Sequence, residues 1–302
     1  MTSIVIPDSV TEIGECAFYD CKNLVSIDIP DSVTTIGSSA FYDCKNLTSI
    51  VIPDSVTTIR DWTFRGCEKL TSIEIGNSVT SIGDYAFSGC GSLTSIVVDE
   101  GNPRYDSRNN CNAIIGTATN TLVCGCSTTI IPDSVTTIGS SAFYDCKNLT
   151  SIVIPDSVTT IGSEAFWCCE NLTRIVVDKG NPRYDSRSNC NAIIETATNT
   201  LVCGCSTTII PDSVTTIGFE SFWCCENLTS IVIPNSVTEI GFSAFFGCKN
   251  LTSIVIPDSV TTIGYEAFYG CYALENIYVS KGKVDYFKRL LPAELHDKIV
   301  ER

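Results

Sequence analysis

A chain of 302 residues with 44% hydrophobic and 18% charged side chains is no disordered polymer, and it has enough apolar material for a continuous core. Its apolar runs fall far short of the roughly 20 residues of a membrane-spanning helix, so no membrane span is expected. A formal net charge of −15 with no Lys/Arg cluster opposes a polyanionic partner and rules out nucleic acid as the expected ligand.

From Met1 the sequence falls into a unit of 23 residues, restarting at Leu24, Leu47, Leu70, Cys126, Leu149, Cys205, Leu228 and Leu251. Such a period fits a repeat in which each turn of a coil carries a strand and is stabilised by stacking on its neighbours. Within 47–69, Leu47, Ile50 and Ile52 mark a short strand with inward side chains, ended by Pro53 and Asp54. Val56 and Ile59 point inward from a second, shorter extended piece. The glycine that follows, as at Gly37, Gly83, Gly139 and Gly162, suggests positive φ ahead of a single helical turn carrying Ala40 and Phe41. A later slot is cysteine in every complete unit, from Cys21 and Cys44 to Cys248 and Cys271.

Two units are longer. The extra residues after Gly101 and after Gly180 are nearly identical, so a block was duplicated. Residues 113–115 and 121–123 read as the arms of a β-hairpin that replaces the usual turn, making 93–125 and 172–204 hairpin-bearing units. After the strand LENIYV the pattern stops. Val284, Phe287, Leu291, Leu295 and Ile299 recur at helical spacing, with Pro292 placed to open a second helix. The reading is therefore a solenoid over 1–279, of twelve strand-bearing turns, and a helical cap over 280–302. No matching cap precedes Met1, which stands in a leucine slot, so self-association through that bare end is expected. The start also lacks the basic and apolar regions of an export signal.

The unit IPxSVTxIGxxAFxxC, with the NAII and TLVxGC inserts, resembles the BspA-like class of bacterial leucine-rich repeats over essentially the whole span from Met1 to Val279. The resemblance implies a leucine-rich-repeat solenoid, α/β or mostly β, with parallel strands on its concave face. It also implies a surface or secreted protein that contacts host matrix proteins or other cell-surface proteins.

No acid, base and nucleophile array is recognisable around the single histidine, His296, and no phosphate loop or GxSxG occurs, so no enzyme and no cofactor are expected. Zinc would want CxxC-type spacing with further ligands, which the CGC pairs lack, so no metal is expected either. Most of the eighteen cysteines read as buried thiols. In an oxidising compartment, Cys111 with Cys126 and Cys190 with Cys205 are the candidate disulfides. The column of Asp8, Asp31, Asp54, Asp133, Asp156, Asp212 and Asp258 reads as turn chemistry.

Binding candidates lie on two faces. Asp28, Val51, Glu74, Val153, Arg174, Val232 and Val255 point outward from the strands on the concave side. On the convex side Phe219 and Trp223, Phe242 and Phe246, and Tyr265 and Tyr269 recur as i, i+4 pairs in consecutive units and should form one aromatic patch. The expected function is noncatalytic protein binding in the manner of a surface adhesin. The alternative is an intracellular, cytoplasmic assembly scaffold whose thiols stay reduced.

Overall fold

The structure, a computed structural model, describes residues 2–302; the leucine slot at Met1 and the bare end inferred from it lie outside the described residues. The chain divides into two compact units, Met1–Leu149 with Thr160–Cys169, and Thr150–Thr159 with Glu170–Arg302. It is a parallel-strand solenoid of about thirteen turns, mostly strand.

One repeat explains the rest. In Ser49–Ile52 the two isoleucines are buried and Ser49 and Val51 face solvent, the period-2 alternation of a half-buried strand. It pairs in parallel with Ser72–Ile75, which pairs with Ser95–Val98, like residue opposite like residue. Each repeat is its own crossover connection, which is how short parallel strands can stack one after another. Pro53 cannot donate to the ladder, and its carbonyl instead accepts the Val56 amide at 3.0 Å, turning the chain into Thr58–Ile59. That short strand lies between Thr35–Ile36 and Ser81–Ile82.

The expected helical turn is absent. Residues 37–44 form successive hydrogen-bonded turns in which Ser39 and Asp43 take positive φ, both 55°, a conformation that a right-handed helix excludes. The glycine is also there for a different reason. Gly37 and Gly162 are not left-handed; a Cβ would lie 2.6 Å from the Glu15 amide nitrogen at the first and 2.4 Å from that of Ser140 at the second. Successive turns meet backbone to backbone at this point, so no side chain fits. Beneath the turns, Phe18, Phe41, Phe64 and Phe87 stack at 5.1, 5.1 and 5.5 Å in the first unit. Phe222, Phe245 and Phe268 do so at 4.9 and 5.5 Å in the second.

Both hairpins form. Ala113–Gly116 runs antiparallel to Thr121–Gly125, and the latter joins the column of short strands by pairing in parallel with Thr137–Ile138. Ile193–Glu195, Thr200–Cys203 and Thr216–Ile217 repeat the arrangement. The count of strand-bearing turns changes, however. The repeats beginning at Cys126 and Cys205 carry no first strand, because threonine takes the inward place of an isoleucine. The buried Thr129 hydroxyl must be hydrogen-bonded, and it donates to the Asn112 carbonyl at 2.6 Å and accepts from the Cys126 amide at 2.7 Å.

The cap also departs from a purely helical reading. Val284–Leu290 is an α-helix and Ala293–Lys298 a 3-10 helix entered from Pro292, but Ile299 lies in the strand Ile299–Glu301. That strand adds in parallel to Asn276–Val279, Ile299 opposite Ile277, so it covers a strand edge while Phe287, Leu291 and Leu295 close the core.

Candidate binding surfaces

The strand face of the first unit carries Asp28, Val51 and Glu74, all exposed, in successive parallel strands. They line a trough of about 550 Å³ whose other acids are Asp31, Asp54 and Asp99, and no basic side chain borders it. Asp54 keeps its turn role, accepting the Asn77 amide of the next repeat at 2.8 Å. Two further residues continue the column: Val97, and Ile130, the latter 75% exposed. Sequence reasoning missed Ile130 because its repeat begins CSTTIIP; aligned on LTSIVIP, Ile130 occupies the place of Val51.

In the second unit the same face carries Val153, Arg174, Val232 and the half-buried Val255, with Ile209 in the column as the counterpart of Ile130. Its trough of about 610 Å³ is bordered by Val232, Val255 and Tyr278, with Asp212, Asp258 and Arg302 at the margin. One unit therefore offers an acidic strand face and the other a face on which Arg174 and Arg302 partly offset the acids.

The six aromatic residues come together in two parallel stacks. Phe219, Phe242 and Tyr265 lie 5.6 and 6.2 Å apart, and Trp223, Phe246 and Tyr269 lie 4.0 and 5.3 Å apart. Trp223 and Phe246 are half-buried, whereas Phe219, Phe242, Tyr265 and Tyr269 are exposed. Inner rings spend their faces on one another, so the side of each stack presents ring edges, and only an end presents a ring face.

The repeated cysteine has a defined task. Cys44, Cys67 and Cys90 each direct a thiol at the carbonyl of the phenylalanine of the preceding turn, at 3.1 to 3.3 Å, and Cys248 and Cys271 repeat this in the second unit. Donation requires the protonated thiol, and burial, with Cys21 nearby, pushes Cys44 up to about 12. Hydrogen bonding to Cys90, with burial, raises Cys67 well above its ordinary value. Cys111 directs its thiol to the Ala113 carbonyl, and Cys126 to that of Asn112 at 3.3 Å; Cys190 and Cys205 do likewise with Ala192 and Asn191. Among the described residues no group of three or more His, Cys, Asp or Glu side chains is arranged to hold a metal ion, and no helix is long and apolar enough to cross a membrane.

None of the curated proteins matches the chain. Among solved structures, it is similar to a leucine-rich-repeat protein of Eubacterium ventriosum at 24% identity and TM-score 0.55, covering 89% of this chain and 82% of that one. It is also similar to the pneumococcal vaccine antigen PcpA at 19% identity and TM-score 0.57, covering 100% and 79%. A leucine-rich cell surface protein of Faecalibacterium prausnitzii is 29% identical over 95% of this chain and 81% of that one, with a TM-score of 0.48. Six copies of the BspA type leucine-rich repeat region match residues 1–112, 122–200 and 193–289. With its stacked 23-residue turns and phenylalanine and cysteine columns accounted for, the chain belongs to the BspA-type leucine-rich-repeat family.

Proposed function

We propose that the protein is a noncatalytic binding scaffold of a bacterial cell surface, which contacts a protein partner, such as a host matrix protein, through its strand face. The observation that carries this reading is the column of solvent-facing β-branched side chains above a core that is already closed. Val51, Val97 and Ile130 are 55%, 49% and 75% exposed, while the isoleucines between them in the strands are buried. About half or more of each of these side chains is left outside the packing, and exposed apolar side chains gathered on one face, here with Glu74 between Val51 and Val97, mark a contact site. The family supports the location.

The test is capture of matrix and cell-surface proteins by the whole chain, repeated with Val51→Glu/Val97→Glu and with Val232→Glu/Val255→Glu. At least one pair should abolish capture without changing the thermal midpoint. Capture that is undiminished in both variants overturns the strand face as the contact surface. Trp223→Ala/Phe246→Ala assigns the aromatic stacks in the same assay.

The reading of an intracellular scaffold with reduced thiols has one specific observation in its favour, the use of the buried thiols as hydrogen-bond donors. Thiol titration of the denatured chain, taken from its native compartment, decides this. Eighteen reactive groups fit the reduced scaffold. A shortfall of four fits disulfides at Cys111–Cys126 and Cys190–Cys205.

A further inference from the structure

A standard turn that is followed directly by another uses its amides in two directions, whereas in the turns ahead of the hairpins the Tyr85, Phe87, Glu164 and Phe166 amides meet no backbone acceptor among the described residues. In residues 37–44, Ala40, Tyr42 and Cys44 donate within the turn, whereas Ser39, Phe41 and Asp43 donate to the Asp61, Thr63 and Arg65 carbonyls of the next turn. The second compact unit repeats the alternation, with Ser243, Phe245 and Gly247 donating to Tyr265, Ala267 and Tyr269. At the following turn the outward trio is Glu266, Phe268 and Gly270, and no described residue accepts from any of the three.

The cap leaves this edge open. Ile299–Glu301 extends the strand column and Phe287, Leu291 and Leu295 seal the core, but a cleft of about 700 Å³ remains beside the last turn. Tyr269 and Tyr272 line one side, Leu290, Pro292 and Leu295 the other. The stack of Trp223, Phe246 and Tyr269 ends in it, with Tyr269 58% and Tyr272 77% exposed. A row of unpaired amides at alternate residues is the edge that β-augmentation uses, and here it is flanked by apolar walls.

We infer that this cleft docks an extended segment of a partner protein, whose backbone carbonyls accept from Glu266, Phe268 and Gly270 and whose aromatic side chain continues the stack on Tyr269. Continuity with the turn-on-turn interface carries the choice of occupant. Where one standard turn stacks directly on the next, as 241–248 on 264–271, the same amide trio is filled by polypeptide carbonyls, and in the second unit the rings of Trp223 and Phe246 are each covered by the next aromatic residue. A second copy of the chain is disfavoured by its charge of −15 and by Glu266 and Glu294 at the cleft wall. The site is separate from the strand face, so either proposal can fail alone.

The test is residue-resolved amide exchange on the full chain, with and without a synthetic peptide carrying residues 138–148 of this sequence with serine in place of Cys146. In the free protein, the amides of Glu266 and Gly270 should exchange faster than those of Ser243 and Gly247. Saturating peptide should slow Glu266, Phe268 and Gly270 by at least about tenfold and leave Ala267 and Tyr269 unchanged. Replacing the peptide's phenylalanine and tyrosine by serine, or Tyr269→Ala in the protein, should weaken binding by about tenfold. Val232→Glu should have no effect on it. Absence of saturable binding, or binding that leaves the three amides at their free rates, overturns the inference. So does protection that rises with protein concentration without peptide, which would assign the edge to a second copy.

Discussion

Within the first compact unit, the standard junction around Phe41 and the hairpin junction around Phe143 pack the same kind of turn in opposite ways. Phe41 lies between two rings, each at 5.1 Å, and its carbonyl accepts the Cys67 thiol at 3.3 Å. Phe143 has Phe166 at 5.3 Å on one side only. Its other side meets the bare backbone of Gly125, where a Cβ would come within 2.3 Å of the ring. A cleft of about 290 Å³ opens beside this turn, and Tyr85 approaches Tyr144 edge-on at 5.7 Å rather than stacking. The standard junction is side chain on side chain and can be repeated indefinitely. The hairpin junction relies on a residue with no side chain at one position.

That contrast can be broken by substitution, with the shift in denaturant midpoint read together with local amide exchange, since a long repeat array need not unfold in one step. Phe41→Ala should cost the most, about 3–5 kcal/mol, because it empties the middle of a ring stack. Phe143→Ala should cost less than Phe41→Ala, since it loses one ring contact rather than two; equal costs would show that the two junctions are energetically alike.

Gly125→Ala should destabilise by about 1–3 kcal/mol through overpacking. Combined with Phe143→Ala, its cost should fall well below the sum of the two, and strict additivity would remove the ring clash as the cause. Cys67→Ala should cost about 1–2 kcal/mol, the loss of a buried donor and a little volume.

Alkaline pH tests the thiols at both junctions together. Burial holds Cys44 and Cys146 up at about 12 against an ordinary 9.0. A raised folded pKa means that the stability from keeping these groups protonated is fully present below pH 9 and is lost as pH climbs towards 12. The slope is about 1.4 kcal/mol per pH unit for each such thiol. A melting temperature that stays flat from pH 9 to 11 would contradict the buried, protonated column. The smallest effect belongs to the acidic strand face, where Asp28→Asn and Glu74→Gln should change stability by no more than about 0.5 kcal/mol.

Much of this was legible in the residues. The strand positions outside the repeats beginning at Cys126 and Cys205, the hairpin arms, the cysteine slot, buried except at the exposed Cys21, and the family follow from patterns local to one repeat. The misreadings all concern neighbours. The glycine at Gly37 has the look of a conformational requirement within its own repeat, but the requirement is steric and is set by Glu15 in the turn beneath. Ile299 continued a helical spacing but lies opposite Ile277 in a strand. Ile130 was hidden by a repeat whose inward residue is threonine, and its exposure follows only once Thr129 is seen to bond the hairpin backbone.

The sequence by itself determined that the chain is a stack of 23-residue turns with a closed apolar interior, because alternation, proline breaks and the Phe and Cys slots act within a single turn. Tertiary structure alone decided which edges are filled and which are free. An amide of one turn finds its acceptor in the next, and the rings of Phe242 and Tyr265 meet only because their turns are adjacent. The free amides of Glu266, Phe268 and Gly270 are invisible in the pattern, since those residues occupy the same slots as bonded ones elsewhere; what differs is the turn that does not follow them.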